Sequence, residues 1–192
     1  MKTEELTDYL SNSGALLRGH FLLSSGLHSS DYVQCALALK NPIWADEMGA
    51  ALAALWQGAE PEIVVSPALG GLIIGHETAR ALGVDFIFTE RENNEMKLRR
   101  GFSLARGARV IIVEDVFTTG KSTLETAALV AASGAEVIGA LSVIDRMGSR
   151  ALPFPHESLV KMGLTAYPAE NCPLCSARLP LVKPGSRKLP AK

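Results

Sequence analysis

From residue 62 onward, the hydrophobic positions switch between two periods. Short runs rich in Val and Ile, "EIVVSPA" (62–68), "VDFIFTER" (84–91), "RVIIVEDV" (109–116) and "EVIGALSVIDR" (136–146), are bounded by Gly, Pro and Asp and predict strands. Between them, "LIIGHETARALG" (72–83) and "STLETAALVAASG" (122–134) carry apolar residues at helical spacing. Continuous Val/Ile runs suit strands covered on both faces by helices, so the order predicts an α/β fold with a mainly parallel central sheet. Two helices precede this region. In the first, Thr3 is the expected cap and Leu6, Leu10 and Leu17 recur at helical spacing up to about Gly19. The second has Asn41 as N-cap, Pro42 in the first turn, an apolar face of Met48, Leu52, Leu55 and Trp56, and a stop at Gly58.

Ligands of such sheets bind at the carboxyl ends of the strands. Here those ends are Ser66 to Gly71, Glu114 to Ser122, and Asp145-Arg146. A polar stretch, "ERENNEMKLRR" (90–100), separates two strands, and Asn93-Asn94 predict the tip of a projecting, mobile ribbon. After residue 150, seven prolines from Pro153 to Pro190 punctuate the chain, which predicts an irregular tail on the surface. The 192 residues are read as a single domain, 1–192, with the α/β core at 62–146.

Composition narrows the functional classes. Lys and Arg (19) nearly balance Asp and Glu (20), so the formal net charge of −1 provides no global field for nucleic acid or anionic membrane. No stretch approaches the roughly 20 apolar residues of a membrane span, and "MKTEELTDYL" has acids where a secretory segment needs a basic start. With three cysteines, an odd count unsuited to a disulfide framework, the cytoplasm is the expected compartment.

The stretch "VIIVEDVFTTGKST" (110–123) superficially matches a triphosphate-binding loop. The G-x-x-x-x-G-K-[ST] pattern needs glycine five residues before Gly120, and the chain has Asp115 there. A two-part site fits better. Thr118 to Ser122 offer amides and hydroxyls at a helix N-terminus, suited to one terminal phosphate. Glu114 and Asp115, just before them, can accept hydrogen bonds from neighbouring sugar hydroxyls. A ribose 5-phosphate is the ligand this suggests; the alternative is an acidic pair that only ends a strand.

Four hydrophobics, two acids and "VFTTGKST" resemble the 5-phosphoribosyl pyrophosphate (PRPP) signature of the type I phosphoribosyltransferases. "GHFLLSSGLHSSDYVQC", "VVSPALGGLIIG", "ERENNEMKLRRGF", "VIDR" and "CPLC…PLVKPGSR" are, in that order, similar to the orotate phosphoribosyltransferase family. The resemblance implies the type I fold, with residues 1–40 forming a small N-terminal hood and residues 90–100 a mobile catalytic loop. It implies transfer of phosphoribose from PRPP to orotate, giving orotidine 5′-monophosphate and pyrophosphate in pyrimidine biosynthesis. Mg²⁺ would be held mainly through PRPP, with no protein metal ligands. The implied partner is a second copy, a homodimer in which loop 90–100 reaches the neighbouring site.

By the same resemblance, Lys97, Glu114 and Asp115 are catalytic, with Arg99 or Arg100 as alternatives to Lys97. PRPP would contact Glu114, Asp115, Val116, Phe117, Thr118, Thr119, Gly120, Lys121, Ser122, Arg91, Leu69 and Gly70. Orotate would contact Thr118, Arg146, Ser25 and Gly26, the Arg146 guanidinium meeting the orotate carboxylate through two parallel bonds. Family members often carry lysines where this chain has Ser24 and Gly70, so the compensating charge is expected from the ribbon. For the ribbon the alternative is a solvated charge run, and for Arg146 an ion pair with Asp145. Other functional readings are transfer to a purine base and a PRPP-sensing regulator without catalysis.

Cys172-Pro173-Leu174-Cys175 has zinc-knuckle spacing, but a structural zinc needs four ligands and no second C-x-x-C exists. It is read as a reduced surface loop, the alternative being a site shared across a dimer or completed by His156. His20, His28 and His76 are assigned no chemistry.

Overall fold

The structure is a computed structural model, and it describes residues 1–23, 26–163 and 165–184. In chain order, helix α1 (Thr3–Asn12) leads into strands β1 (Leu16–Leu22) and β2 (His28–Val33), then helices α2 (Cys35–Leu39) and α3 (Pro42–Leu55). Strand β3 (Ile63–Pro67), helix α4 (Gly71–Leu82) and the hairpin β4 (Asp85–Glu92) and β5 (Glu95–Leu98) follow. Strand β6 (Arg109–Phe117), helix α5 (Lys121–Ala132), β7 (Glu136–Asp145), β8 (His156–Lys161), β9 (Ala166–Tyr167) and the short helix α6 (Pro173–Ser176) complete the described order.

Six strands form the main sheet in the order β5-β4-β3-β6-β7-β8, with every neighbouring pair parallel except β4 and β5. Side chains alternate across it, and β6 shows how this divides the core. Ile111 and Val113 join Met48, Leu52, Ile74 and Ala79 from α3 and α4, together with Leu6 and Leu10 from α1. Val110 and Ile112 pack on the other face with Val65, Ala140 and Val130 of α5. A parallel strand buried on both faces must be apolar throughout, which is why residues 110–113 read as an unbroken run. Helices α3 and α4 approach closely at Gly49, where a Cβ would lie 2.6 Å from the Glu77 backbone carbonyl carbon.

The start signals of the second helix hold: the Asn41 side chain accepts from the Ile43 amide at 3.0 Å, and Pro42 is the first helical residue; the helix ends at Leu55, with Trp56 already extended, short of the expected stop at Gly58. The N-terminal helix is shorter than expected. It ends at Asn12 and its N-cap is Lys2; Gly14, at φ +74°, turns the chain so that Leu17 pairs with Tyr32 across β1 and β2. Strands β1, β2 and β9 form a second, antiparallel sheet.

The segment after 150 also departs from an irregular tail. His156–Lys161 pairs with β7 from Ala140↔His156 to Asp145↔Lys161 and supplies the sixth strand of the main sheet. Its sequence, "HESLVK", has only one fully buried residue, Val160, so an apolar run was not there to be read.

Candidate active site

The chain winds outward from β3 in two directions, to β4 on one side and to β6, β7 and β8 on the other. The strand order therefore reverses between β3 and β6. A crevice opens at such a reversal, outside the carboxyl ends of the two strands. Ser66 to Gly71 and Glu114 to Ser122 are the segments that border it.

β3 ends at Pro67, the Ala68–Leu69 peptide is cis, and α4 begins at Gly71. Leu69 is exposed and Gly70 sits directly against Asp115: a Cβ there would lie 2.6 Å from Asp115 Oδ1 and 2.7 Å from Oδ2. Gly71 is equally constrained, its Cβ position being 2.9 Å from the Val113 carbonyl oxygen. The hydroxyl of Ser66 is buried and has no hydrogen-bond partner among the described residues.

β6 runs three residues past Glu114 and pairs with β7 to Phe117↔Asp145, so Val116 and Phe117 are strand residues and Phe117 is fully buried. Glu114 is also buried and accepts from Thr123 Oγ1 at 3.2 Å. Burial, with the neighbouring Asp115 charge adding to it, raises the Glu114 pKa to about 8. Asp115 is half-buried and accepts from the Val116 amide at 2.9 Å. Burial raises its pKa too, against hydrogen bonds that lower it.

The next residues turn from strand to helix. Thr118 and Thr119 are exposed, and Gly120 stands at φ +74° before α5 begins at Lys121. A side chain at Gly120 would be strained by that φ and would meet Leu152 Cδ2 at 2.9 Å. No side chain caps α5 in the usual N-cap manner; the Lys121 amide donates to Thr119 Oγ1 at 3.3 Å. First-turn amides of a helix have no intrahelical acceptor, so this end, with the Ser122 hydroxyl beside it, can receive an anion. The Lys121 ammonium faces Glu125 at 3.8 Å.

Arg146 follows β7, and its amide donates to the Phe117 carbonyl at 2.8 Å, which fixes it next to the loop. Its Nε is buried without a hydrogen-bond partner among the described residues. Burial lowers the guanidinium pKa, while Asp31, Tyr32 and Cys35 act in the opposite direction. The expected alternative, a pairing with Asp145, is not formed among the described residues: Asp145 Oδ1 instead accepts from the Met147 amide at 2.7 Å. Asp31 and Tyr32 belong to β2, so the small sheet reaches over this end of the crevice. Gly26 is exposed at φ +82° in the turn between β1 and β2, while Ser24 and Ser25 lie outside the described residues.

The ribbon is a β-hairpin. Asn93 and Asn94 both have positive φ, 51° and 66°, as a two-residue hairpin turn requires. Its cations are held by its own acids: Lys97 Nζ lies 3.2 Å from Glu92, Arg99 lies 3.2 Å from Glu92, and Arg100 donates to Glu90 at 2.7 and 2.9 Å. Arg91 is ion-paired with Glu125, tying the hairpin to α5.

One grouping corrects the sequence reading. Cys172 is buried, and Cys175 stands beside it with His20 and His28 at the other side. His156 is elsewhere, bonded to the Phe154 carbonyl at 3.1 Å. The spacing of His20 and His28 on two hairpin strands, with a C-x-x-C downstream, was the available signal.

Comparison with known proteins agrees with this geometry. Residues 38–164 match the phosphoribosyl transferase domain. The orotate phosphoribosyltransferase of Caldanaerobacter subterraneus subsp. tengcongensis is 45% identical over 190 residues, covering 98% of this chain and all of that one. That of Thermotoga maritima is 47% identical over 185 residues, covering 96% and 99%. The crystal structure of orotate phosphoribosyltransferase from Aeropyrum pernix superposes with a TM-score of 0.69 at 25% identity, covering 82% of this chain and 93% of that one. With a site at the strand-order reversal, an acidic pair before an open helix end and relatives matched over nearly their whole length, the chain belongs to the orotate phosphoribosyltransferase family.

Proposed function

We propose that the protein transfers the 5-phosphoribosyl group from PRPP to orotate, forming orotidine 5′-monophosphate and pyrophosphate. The 5-phosphate sits on the amides and hydroxyls from Thr118 to Ser122, and Glu114 and Asp115 accept from the ribose hydroxyls. As the bond from C1 to the pyrophosphate oxygen breaks, positive charge develops on the sugar ring above the acidic pair and negative charge on the leaving group. A ring nitrogen of orotate forms the new bond to C1.

The observation that carries the choice of base is Arg146 Nε, buried and without a partner beside Asp31 and Tyr32. A buried donor left unpaired costs about 1–3 kcal/mol, and a carboxylate on the base would satisfy it. Purine bases have no carboxylate. Thr118, just past β6, and Gly26, in the turn between β1 and β2, are assigned to orotate with Arg146.

Mg²⁺ prefers octahedral oxygen donors, commonly one or two carboxylates plus substrate phosphates. The donors at the strand tips, Glu114, Asp115 and nearby hydroxyls, fit an ion carried mainly by the diphosphate. Such an ion would offset the negative charge of the leaving group. Further compensation comes from the ribbon, with Lys97 as the catalytic cation and Arg91 near the PRPP loop. We place that ribbon over the neighbouring site of a homodimer, and the reaction in the cytoplasm. Three free thiols, Cys35, Cys172 and Cys175, suit a reducing compartment.

The test is direct: purified protein, Mg²⁺, PRPP and orotate, with loss of orotate absorbance followed and pyrophosphate measured in parallel. Turnover with orotate and none with adenine or hypoxanthine supports the reading. Folded protein that turns over a purine, or nothing, overturns it.

A further inference from the structure

We propose that His20, His28, Cys172 and Cys175 bind a structural zinc ion that fastens the C-terminal segment to the small antiparallel sheet. The four ligand atoms, His20 Nε2, His28 Nδ1 and the two sulfurs, lie within 4.8 Å of one another. Individual separations are 2.9 Å between the two nitrogens, 3.6 Å from Cys172 Sγ to His20, and 3.7 and 3.3 Å from Cys175 Sγ to His20 and His28. Zinc bonds of about 2.3 Å to sulfur and about 2.0–2.1 Å to nitrogen, at tetrahedral angles, put ligand atoms roughly 3.3–3.8 Å apart. The cluster is already close to that spacing.

Three further observations belong to a built site. His20 Nδ1 is 2.9 Å from the Leu179 carbonyl oxygen, which accepts its N–H and leaves Nε2 to bind metal. His20, His28 and Cys172 are 3%, 5% and 2% exposed, so the donors face inward and only Cys175 reaches solvent. Two thiolates also neutralise a divalent cation, so the filled centre carries no net charge into a buried place. Soft sulfur and imidazole donors in a closed set of four favour zinc over Mg²⁺.

The location gives the ion a purpose. His20 lies on β1 and His28 on β2, whereas both cysteines lie on the segment around α6. Beyond the cysteines this segment touches β1 through Val182, whose amide donates to the His20 carbonyl at 2.8 Å and whose carbonyl accepts from Leu22 at 2.9 Å. Among the described residues few backbone bonds hold this segment to the sheet, and a metal centre adds a further tie.

Metal analysis of the full-length protein, reduced and reconstituted with Zn²⁺ after chelation, is expected to find one zinc per chain. Co²⁺ in its place should give the visible bands of tetrahedral cobalt and a thiolate charge-transfer band. Cys175→Ser should weaken that charge-transfer band, and His28→Asn should lower zinc content. Chelation should lower the melting temperature, with recovery on adding Zn²⁺ and none with Mg²⁺. If either variant fails to fold, the cobalt spectrum of the unaltered protein decides. Zinc well below one per chain after reconstitution, octahedral cobalt only, or a Cys172–Cys175 disulfide in the isolated protein would each overturn the proposal. None of these readouts depends on turnover, so their failure is distinct from failure of the transferase reading.

Discussion

Gly70 and Asp115 are packed so closely that a single methyl group at position 70 would lie 2.6 Å from the carboxylate. Gly70 itself has φ −58°, which any residue adopts, so the constraint comes from the contact and not from backbone strain. Gly70→Ala should therefore fold normally yet displace Asp115. Misplacement by about 1 Å can cost roughly 100-fold in rate, and a loss of that order in kcat/KM for PRPP is expected. Unchanged kinetics would show that the carboxylate has room to move without penalty.

If Asp115 accepts from the ribose hydroxyls as proposed, Asp115→Asn should reduce turnover far more than stability. Comparing steady-state rates with the thermal midpoint checks this. Equal losses in both would assign the residue to the framework instead.

Glu114 sets a pH dependence with a defined sign. The folded protein holds its proton up to about 8, whereas an unfolded chain releases it near its ordinary value of 4.5. Between these values the native state binds more protons, so the unliganded protein loses stability as pH rises across the interval. Below the lower value this contribution is fully present. Glu114→Gln should flatten the dependence, as denaturant titrations over the range would reveal. On the proposed binding mode, in which sugar hydroxyls donate to the ionised carboxylate, PRPP binding at neutral pH should release protons, measurable calorimetrically in buffers of different ionisation enthalpy.

Arg146→Ala should raise KM for orotate with little change for PRPP. Removing one partner of a buried, hydrogen-bonded charge pair costs about 2–5 kcal/mol, so kcat/KM for orotate should fall by about two orders of magnitude. Arg146→Lys should restore little, since an ammonium lacks the planar fork. Parallel loss for both substrates would exclude a specific role in holding the base.

The ribbon cations can be separated by single alanine variants at Lys97, Arg99 and Arg100. The one that serves the leaving group should lower kcat while leaving the KM for orotate nearly unchanged. Mixing Lys97→Ala with Asp115→Asn should recover activity if the hairpin acts on the neighbouring subunit, because one shared site then has both intact parts. Recovery would be absent if each hairpin served its own chain.

The parts of the fold readable from the sequence were those specified locally. Buried parallel strands need continuous apolar runs, so residues 110–113 stood out, and Asn93-Asn94 marked a turn whose positive φ values few other residues tolerate. Gly120 likewise marked the strand-to-helix turn. Strand β8 was missed because an edge strand with one buried residue has no apolar signature. The extent of α1 was overread because Leu17 kept helical spacing by coincidence while Gly14 had already turned the chain. The His/Cys cluster was hidden for another reason: His20 and Cys172 are 152 residues apart, and only tertiary packing unites them.

Strand β2 is six residues long, with His28 at its first position and Asp31 and Tyr32 near its last. Successive residues of a strand point to opposite sides, so the two ends are phased to each other. His28 and Tyr32 share one side of the strand and Asp31 faces the other, so a one-residue insertion or deletion between His28 and Tyr32 would turn one of that pair to the wrong side, whereas a two-residue change would restore both orientations and alter only the reach. The chain here is thus tuned by parity as well as by composition.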